Sequence, residues 1–366
     1  MTVHTEILLI AIAVSIACAI PGVFLVLRRM SMMADAITHT VFLGIVLAFF
    51  VTEDLNSPLL LVGATLVGVG TVWLTEMIHN TGLVNEDASI GIIFPLLFSI
   101  AIILVSLYSG NAHLDVDTAL LGEIAFAPFD RWIVNGTDLG PVSLWISLGV
   151  ALINLVLVML FYKELQLSTF DPLLAGLFGF IPALIHYVLM TMVSLTVVAS
   201  FQAVGAILVI GLMIGPAVIA YLWTDSVKAM LTSSIIIGMI CAVIGTEVAF
   251  TLDVSIAGAI ATTIGLALLI AVMCTPKTGY IATYRRQRHL RRHYRETMML
   301  CHIYTHMNTP VAAIENGIGT IHEHLNWKPD YTHQAASHLK KQGLLYVTNG
   351  YYMLTDKGVA QVKEII

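Results

Sequence analysis

The chain has 366 residues, of which 58% are hydrophobic and only 11% charged, and its mean hydropathy is +0.90. That composition excludes an ordinary soluble globular domain and reads as a polytopic membrane protein. The formal net charge of −6 is unevenly divided: residues 1–284 hold 6 Lys+Arg against 17 Asp+Glu, whereas residues 285–366 hold 11 against 6, so a domain boundary is expected near the change of sign.

Apolar segments long enough to span a bilayer run at about 6–27, 34–52, 57–79, 88–108, 141–162, 181–200, 202–223, 229–250 and 254–274. These predict eight or nine transmembrane helices, since one of the pair meeting near Ser200 can be short or re-entrant. The start of the chain lacks the charged segment, short apolar stretch and small-residue site of a removable signal peptide, so none is expected. Arg28, Arg29, Lys163, Lys228 and Lys277 follow the first, fifth, seventh and ninth segments, which orients the amino terminus outside and the carboxyl terminus inside. Only Arg131, in the connection 109–140, runs against this pattern. The same connection carries Asp115, Asp117, Glu123 and Asp130, which either line an outer mouth that concentrates cations or form an ordinary solvated loop.

Asp35 and His39 are four residues apart at the entrance to the second segment. On a helix they share one face at a separation of about 6 Å. A carboxylate oxygen and an imidazole nitrogen side by side make half of a coordination shell for a first-row divalent metal. The alternative is an end-of-helix aspartate and a packed histidine; against it stands the penalty of roughly 2.5–3.5 kcal/mol for an ionisable group within a membrane segment. His186 and Glu247 are further ionisable residues in apolar segments and qualify as pathway residues or as structural hydrogen-bonding groups, while Glu76 and His79 read as interfacial.

In the connection after the fifth segment, Asp171 and Pro172 open a short helix as cap and first residue, followed by Leu173, Leu174, Ala175 and Gly176, with Gly179 as a second stop signal. An amphipathic helix in a cytoplasmic loop is a docking device for a soluble partner. No Gly-Lys dipeptide occurs in the chain, so the phosphate-binding loop GxxxxGK[ST] is absent and any ATP hydrolysis belongs to another subunit. The four cysteines form no CxxC pair and suggest neither a disulfide framework nor a cysteine-built zinc site. The sixteen methionines form no spaced ligand set and read as core filling.

Four ordered stretches carry a resemblance: residues 24–39, residues 86–92, Phe170-Asp171-Pro172, and 204–209 leading to Gly215-Pro216-Ala217. Together they resemble the permease subunits of ATP-binding-cassette importers for manganese, zinc and iron, over roughly residues 5–277. The resemblance implies an all-α type II importer permease in a bacterial plasma membrane. It further implies that a pair of permeases works beneath an extracytoplasmic metal-binding protein and above two cytosolic ATPase subunits. Asp35 and His39 then handle the metal, and Asp171 to Gly179 form the helix that couples to the ATPase. The chain is expected to be a transporter subunit rather than an enzyme, with manganese favoured over zinc or ferrous iron because the site is mixed O/N without thiolate. A membrane-bound metal sensor and a secondary metal carrier are the alternatives.

Beyond Lys277 the basic run Tyr284 to Arg295 reads as a juxtamembrane helix resting on anionic lipid, with nucleic acid as the other polyanion it suits. Residues 296–366 have globular composition, giving three parts at 1–277, 278–295 and 296–366. Helices are expected at 311–324 and 331–342, a hairpin turning at Asn349-Gly350, and a last helix from Thr355. That order and the 338–358 stretch resemble the winged-helix DNA-binding domain of iron- and manganese-dependent repressors over about 65 residues, implying a small cytosolic α+β domain. Few basic residues mark its recognition helix, which favours a regulatory or assembly module over DNA binding. His302 and His306, four apart with Cys301 adjacent, form a candidate regulatory metal site; solvent-exposed histidines are the alternative.

Overall fold

The computed structural model describes residues 2–53, 57–108, 124–134, 137–275 and 279–365. It divides into two compact units, Met1–Met273 and Cys274–Ile366. Asp115, Asp117 and Glu123 of the acidic connection lie outside the described residues, as does the expected boundary at 277.

The first unit holds α1 (Val3–Leu27), α2 (Ser31–Thr52), α3 (Pro58–His79) and α4 (Glu86–Tyr108), then a hairpin of β1 (Arg131–Val134) and β2 (Thr137–Pro141). It continues with α5 (Val142–Leu160), α6 (Tyr162–Phe170), α7 (Pro172–Leu177), α8 (Pro182–Trp223), α9 (Val227–Leu252) and α10 (Ile256–Cys274). The centre is α1, packed against α5, α8 and α9. Within its most apolar window 78% of residues are buried, against 17% for α4, which leaves the flank of α4 facing outward. Asn154 on α5 is a buried polar tie, its Nδ2 donating to the Ala17 carbonyl at 3.1 Å and to Thr196 Oγ1 at 2.7 Å. Such a bond joins three helices where no water competes for the groups.

Helix α8 is 42 residues long. Laid straight it would measure about 63 Å, twice the thickness of a bilayer core. It breaks at Gly205, whose φ of 77° and ψ of 166° lie outside any helical region. The neighbours of α8 show that its legs run antiparallel. His186 meets Arg28 just past the carboxyl-terminal end of α1, Ser200 meets Cys18 in its second half, and Ala217 and Ala220 cluster with Val23 near that end again. The pair expected near Ser200 is therefore a helical hairpin, and its legs bring the membrane-length helices among the described residues to nine.

Arg131, the exception to the charge rule, donates to both oxygens of Glu6, through Nη2 to Oε1 at 3.1 Å and Nη1 to Oε2 at 3.2 Å, and through Nε to Asp138 Oδ2 at 2.6 Å. Hydrogen bonds to Glu6 and then Asp138 raise its pKa above the ordinary value. The pair with Glu6 fastens the hairpin to the first turn of α1.

In the second unit α11 (Tyr280–His306) is one continuous helix, so the basic run and the first core residues of the domain share one element. It is followed by α12 (Ala312–Glu315), α13 (Ile321–His324), α14 (Pro329–Lys341), β3 (Leu345–Thr348), β4 (Tyr351–Leu354) and α15 (Asp356–Ile365). Met299, Leu300, Ile303, Ile321, Leu339, Tyr352, Leu354 and Val362 form its core. The hairpin turns at Asn349 and Gly350, both at positive φ, as the sequence leads one to expect. The single helix expected over 311–324 is two short helices instead. Between them the backbone is diverted to the hairpin: Tyr352 N donates to Asn316 O at 2.9 Å and Ile318 N to Gly350 O at 3.2 Å. Asn316, Gly317 and Gly319 are weak helix formers, and the strand-like pairing outweighs them.

Candidate metal-handling site

Asp35 lies in the second turn of α2 and His39 one turn on, with His39 Nε2 3.5 Å from Asp35 Oδ1. Two ligands about 2.1 Å from one ion are 3.0–3.4 Å apart at ordinary angles, so a small side-chain rotation brings both onto a single metal. The pair is half-buried, with side chains 37% and 30% exposed, open on one flank and walled on another by Phe94 and Phe98 of α4, whose rings lie 5.6 and 5.9 Å from the imidazole. The backbone beneath is held by Thr38, whose hydroxyl donates to the carbonyls of Ala34 and Asp35 at 2.7 and 2.8 Å. Two ligands are half of a shell, and the open flank leaves room for water or for ligands from another chain.

His186 does not join this pair. Its Nε2 is 2.7 Å from Glu76 Oε1, Tyr187 donates to Glu76 Oε2 at 2.7 Å, and Arg28 Nη1 donates to His186 Nδ1 at 3.3 Å. Because a guanidinium only donates, Nδ1 must be the acceptor nitrogen and the proton sits on Nε2, facing Glu76. Arg28 also donates through Nε to Thr169 Oγ1 at 3.1 Å and through Nη2 to Ser168 Oγ at 3.3 Å. This network links the ends of α1, α3 and α8 to α6, directly before Asp171. Glu76, expected to be interfacial, and Arg28, expected to mark topology and the family motif, are joined here by partners too far along the chain for any local signal. Glu247 is also apart from the pair, its Oε1 3.4 Å from His4 Nε2, where the last turns of α9 meet the first turn of α1.

The 171–179 stretch folds as its sequence suggests. Asp171 Oδ1 accepts from Leu174 N at 2.9 Å, Pro172 is the first residue of α7, and the turn closes through Phe180 N to Ala175 O at 3.1 Å with Gly179 at φ 85°. Gly176 lies within α7 rather than ending it. Ala175 is buried, while Leu173 and Leu177 are each 84% exposed beside exposed Phe170 and Phe178. These apolar tips form an exposed patch on and beside one short helix.

In the second unit, His302, His306 and Glu315 place one ligand atom each within 4.8 Å of the others. His324 adjoins them, its Nδ1 3.0 Å from Glu315 Oε2. Cys301 is not in this group; it packs against the apolar core, and Glu315 stands in the place the sequence suggested for it. Burial holds the pKa of His302 below the usual imidazole value, favouring the neutral form. A cleft of about 1030 Å³ in the same unit lies between the basic half of α11 and α14, lined by Arg288, Arg291, Arg292, Arg295, His338 and Lys341 among others. Glu296 partly offsets this charge, its Oε1 meeting Arg292 Nε at 3.0 Å and His338 Nδ1 at 2.8 Å.

Comparison with known proteins gives a consistent set of relatives. The zinc transport system membrane protein TroD of Treponema pallidum is 41% identical over 356 residues, 97% of this chain and 96% of its own length. The manganese transport system membrane protein MntD of Bacillus subtilis is 44% identical over 281 residues, 77% of this chain and 95% of its own length. The former match thus runs into the carboxyl-terminal unit, whereas the latter protein has almost nothing left to match it. Among solved structures, PsaBC from Streptococcus pneumoniae in complex with Fab aligns with a TM-score of 0.65 and 29% identity, over 78% of this chain and 96% of that one. The model of the ABC 3 transport family matches residues 2–275, from α1 through the whole helical unit, and the chain belongs to that family.

Proposed function

We propose that this chain is the membrane permease subunit of an ATP-driven importer of a divalent transition metal, with manganese the first candidate substrate, then zinc and iron. The observation that carries the reading is the Asp35–His39 pair, held 3.5 Å apart on α2 in a chain of this family. An O/N pair without thiolate suits manganese, and an imidazole also serves zinc and iron. The half-exposed flank of the pair supports a path at the seam with a second permease, which completes the shell. Metal delivered from an extracytoplasmic binding protein meets this pair and passes inward when the path reopens.

The exposed tips of α7 support docking on a separate cytosolic ATPase subunit, and the Arg28 network supports transmission from that helix to α1, α3 and α8. The family match removes the need for a secondary-carrier mechanism. The second unit is a cytosolic winged-helix-like module, regulatory or assembly in role, with the basic run of α11 resting on anionic lipid; its element order and hairpin support that reading, and DNA is not its favoured ligand. The test is uptake of labelled manganese, zinc and iron into liposomes holding the chain with its ATPase and binding protein. ATP-dependent uptake of one metal supports the reading, and uptake that ignores ATP and follows an ion gradient refutes it.

A further inference from the structure

We propose that His302, His306 and His324 with Glu315 form a second divalent-metal site, separate from Asp35 and His39, that clamps three segments of the carboxyl-terminal unit together. The four side chains come from α11, α12 and α13; the first three, His302, His306 and Glu315, are grouped, and His324 joins them through Glu315. Glu315 Oε2 is 3.0 Å from His324 Nδ1 and 3.9 Å from His302 Nε2. The His302 and His306 rings are 4.8 Å apart, and the His302 and His324 rings stack at 6.2 Å. Four ligands set tetrahedrally at about 2.1 Å from a metal lie roughly 3.4 Å from one another. The two ligand-atom distances to Glu315 Oε2 bracket that figure, and the His302, His306 and Glu315 ligand atoms all lie within 4.8 Å of one another, so these groups are gathered before any ion arrives.

The chemistry of the set specifies its occupant. Three imidazoles and one carboxylate are a nitrogen-rich shell, which ranks zinc and cobalt above manganese in affinity. Four protein ligands also leave no open position, the arrangement of a site that holds structure rather than one that performs chemistry. His302 Nε2 lies 3.2 Å from the Glu315 carbonyl oxygen, so metal binding exchanges one modest hydrogen bond for a coordinate bond. The ion then fixes the end of α11 to the 312–324 segment, which pairs with the wing hairpin through Asn316 and Ile318. Metal occupancy would thus set the position of that hairpin.

The full chain, purified in detergent and carrying Asp35→Ala and His39→Ala to silence the membrane pair, is titrated with Co2+ and then with competing Zn2+. One equivalent of Co2+ with the visible absorption of a tetrahedral site is expected. His306→Gln, His324→Gln and Glu315→Gln, at partly exposed positions, should each weaken Zn2+ binding by at least about tenfold, since even groups behind the ligands change affinity 10- to 100-fold. Cys301→Ser should leave it unchanged. Affinity that survives all three ligand substitutions, or that is lost with Cys301→Ser, overturns the proposal.

Discussion

Gly205 is where the structure makes its least negotiable demand on the sequence. At φ 77° and ψ 166° it occupies a region that residues other than glycine enter at a cost of about 1–3 kcal/mol. Gly205→Ala also restricts the unfolded chain, which returns roughly 0.4–1 kcal/mol, so the net destabilisation is about 1–2 kcal/mol. Gly211 provides the control six residues further along the same helix. Its backbone is helical and its nearest outside neighbour to an added Cβ is Ile264 Cδ1 at 4.0 Å, so Gly211→Ala should stabilise by up to about 1 kcal/mol. The two substitutions, chemically identical, should move the unfolding midpoint in opposite directions. Their combined difference of about 2–3 kcal/mol is a roughly 30- to 150-fold change in the unfolding equilibrium. Denaturant unfolding in mixed micelles, followed by tryptophan fluorescence, measures it. If Gly205→Ala is as stable as the parent chain, α8 does not turn at Gly205 and the antiparallel arrangement of its legs is wrong.

Other consequences concern coupling and assembly. Arg28→Ala removes the donor that joins Ser168, Thr169 and His186, so metal transported per ATP hydrolysed should fall several-fold while ATP hydrolysis continues; Arg28→Lys, with a compact charge in place of the fork, should recover only part of it. Leu173→Asp alters a side chain that is 84% exposed, so the melting temperature of the isolated chain should hold while co-purification of the ATPase is lost. Arg131→Ala leaves the Glu6 carboxylate, only 5% exposed, without its two-pronged partner; lower thermal stability is expected, and Glu6→Gln in the same chain should recover part of it.

The membrane helices are legible because each is a continuous apolar run bounded by charges or turns, and hydropathy reads such runs well. Where two runs meet it reads only in part: the segments expected at 181–200 and 202–223 match the two legs, but nothing in their composition distinguishes a reversal at Gly205 from a short or re-entrant segment. The α7 helix is legible for a different reason, because Asp171 and Pro172 carry their own capping chemistry. The Arg28 network is invisible beforehand, since Thr169 and His186 are 141 and 158 residues away from it in the chain. The carboxyl-terminal cluster lies between these cases. Four-residue spacing pairs His302 with His306, but Glu315 and His324 would sit on opposite faces of the unbroken helix expected there, nine residues being about 900° of rotation. Only the break between α12 and α13 brings them together, His324 Nδ1 lying 3.0 Å from Glu315 Oε2.

The central claim is that Asp35 and His39 handle the transported metal, and its most direct test is ATP-dependent uptake by the assembled complex with Asp35→Ala or His39→Ala. Uptake should fall by at least about tenfold in each variant while the complex still assembles and hydrolyses ATP, because either change leaves a single ligand where two are held 3.5 Å apart. Full uptake in both variants would make the pair structural and move the path elsewhere in the helical unit.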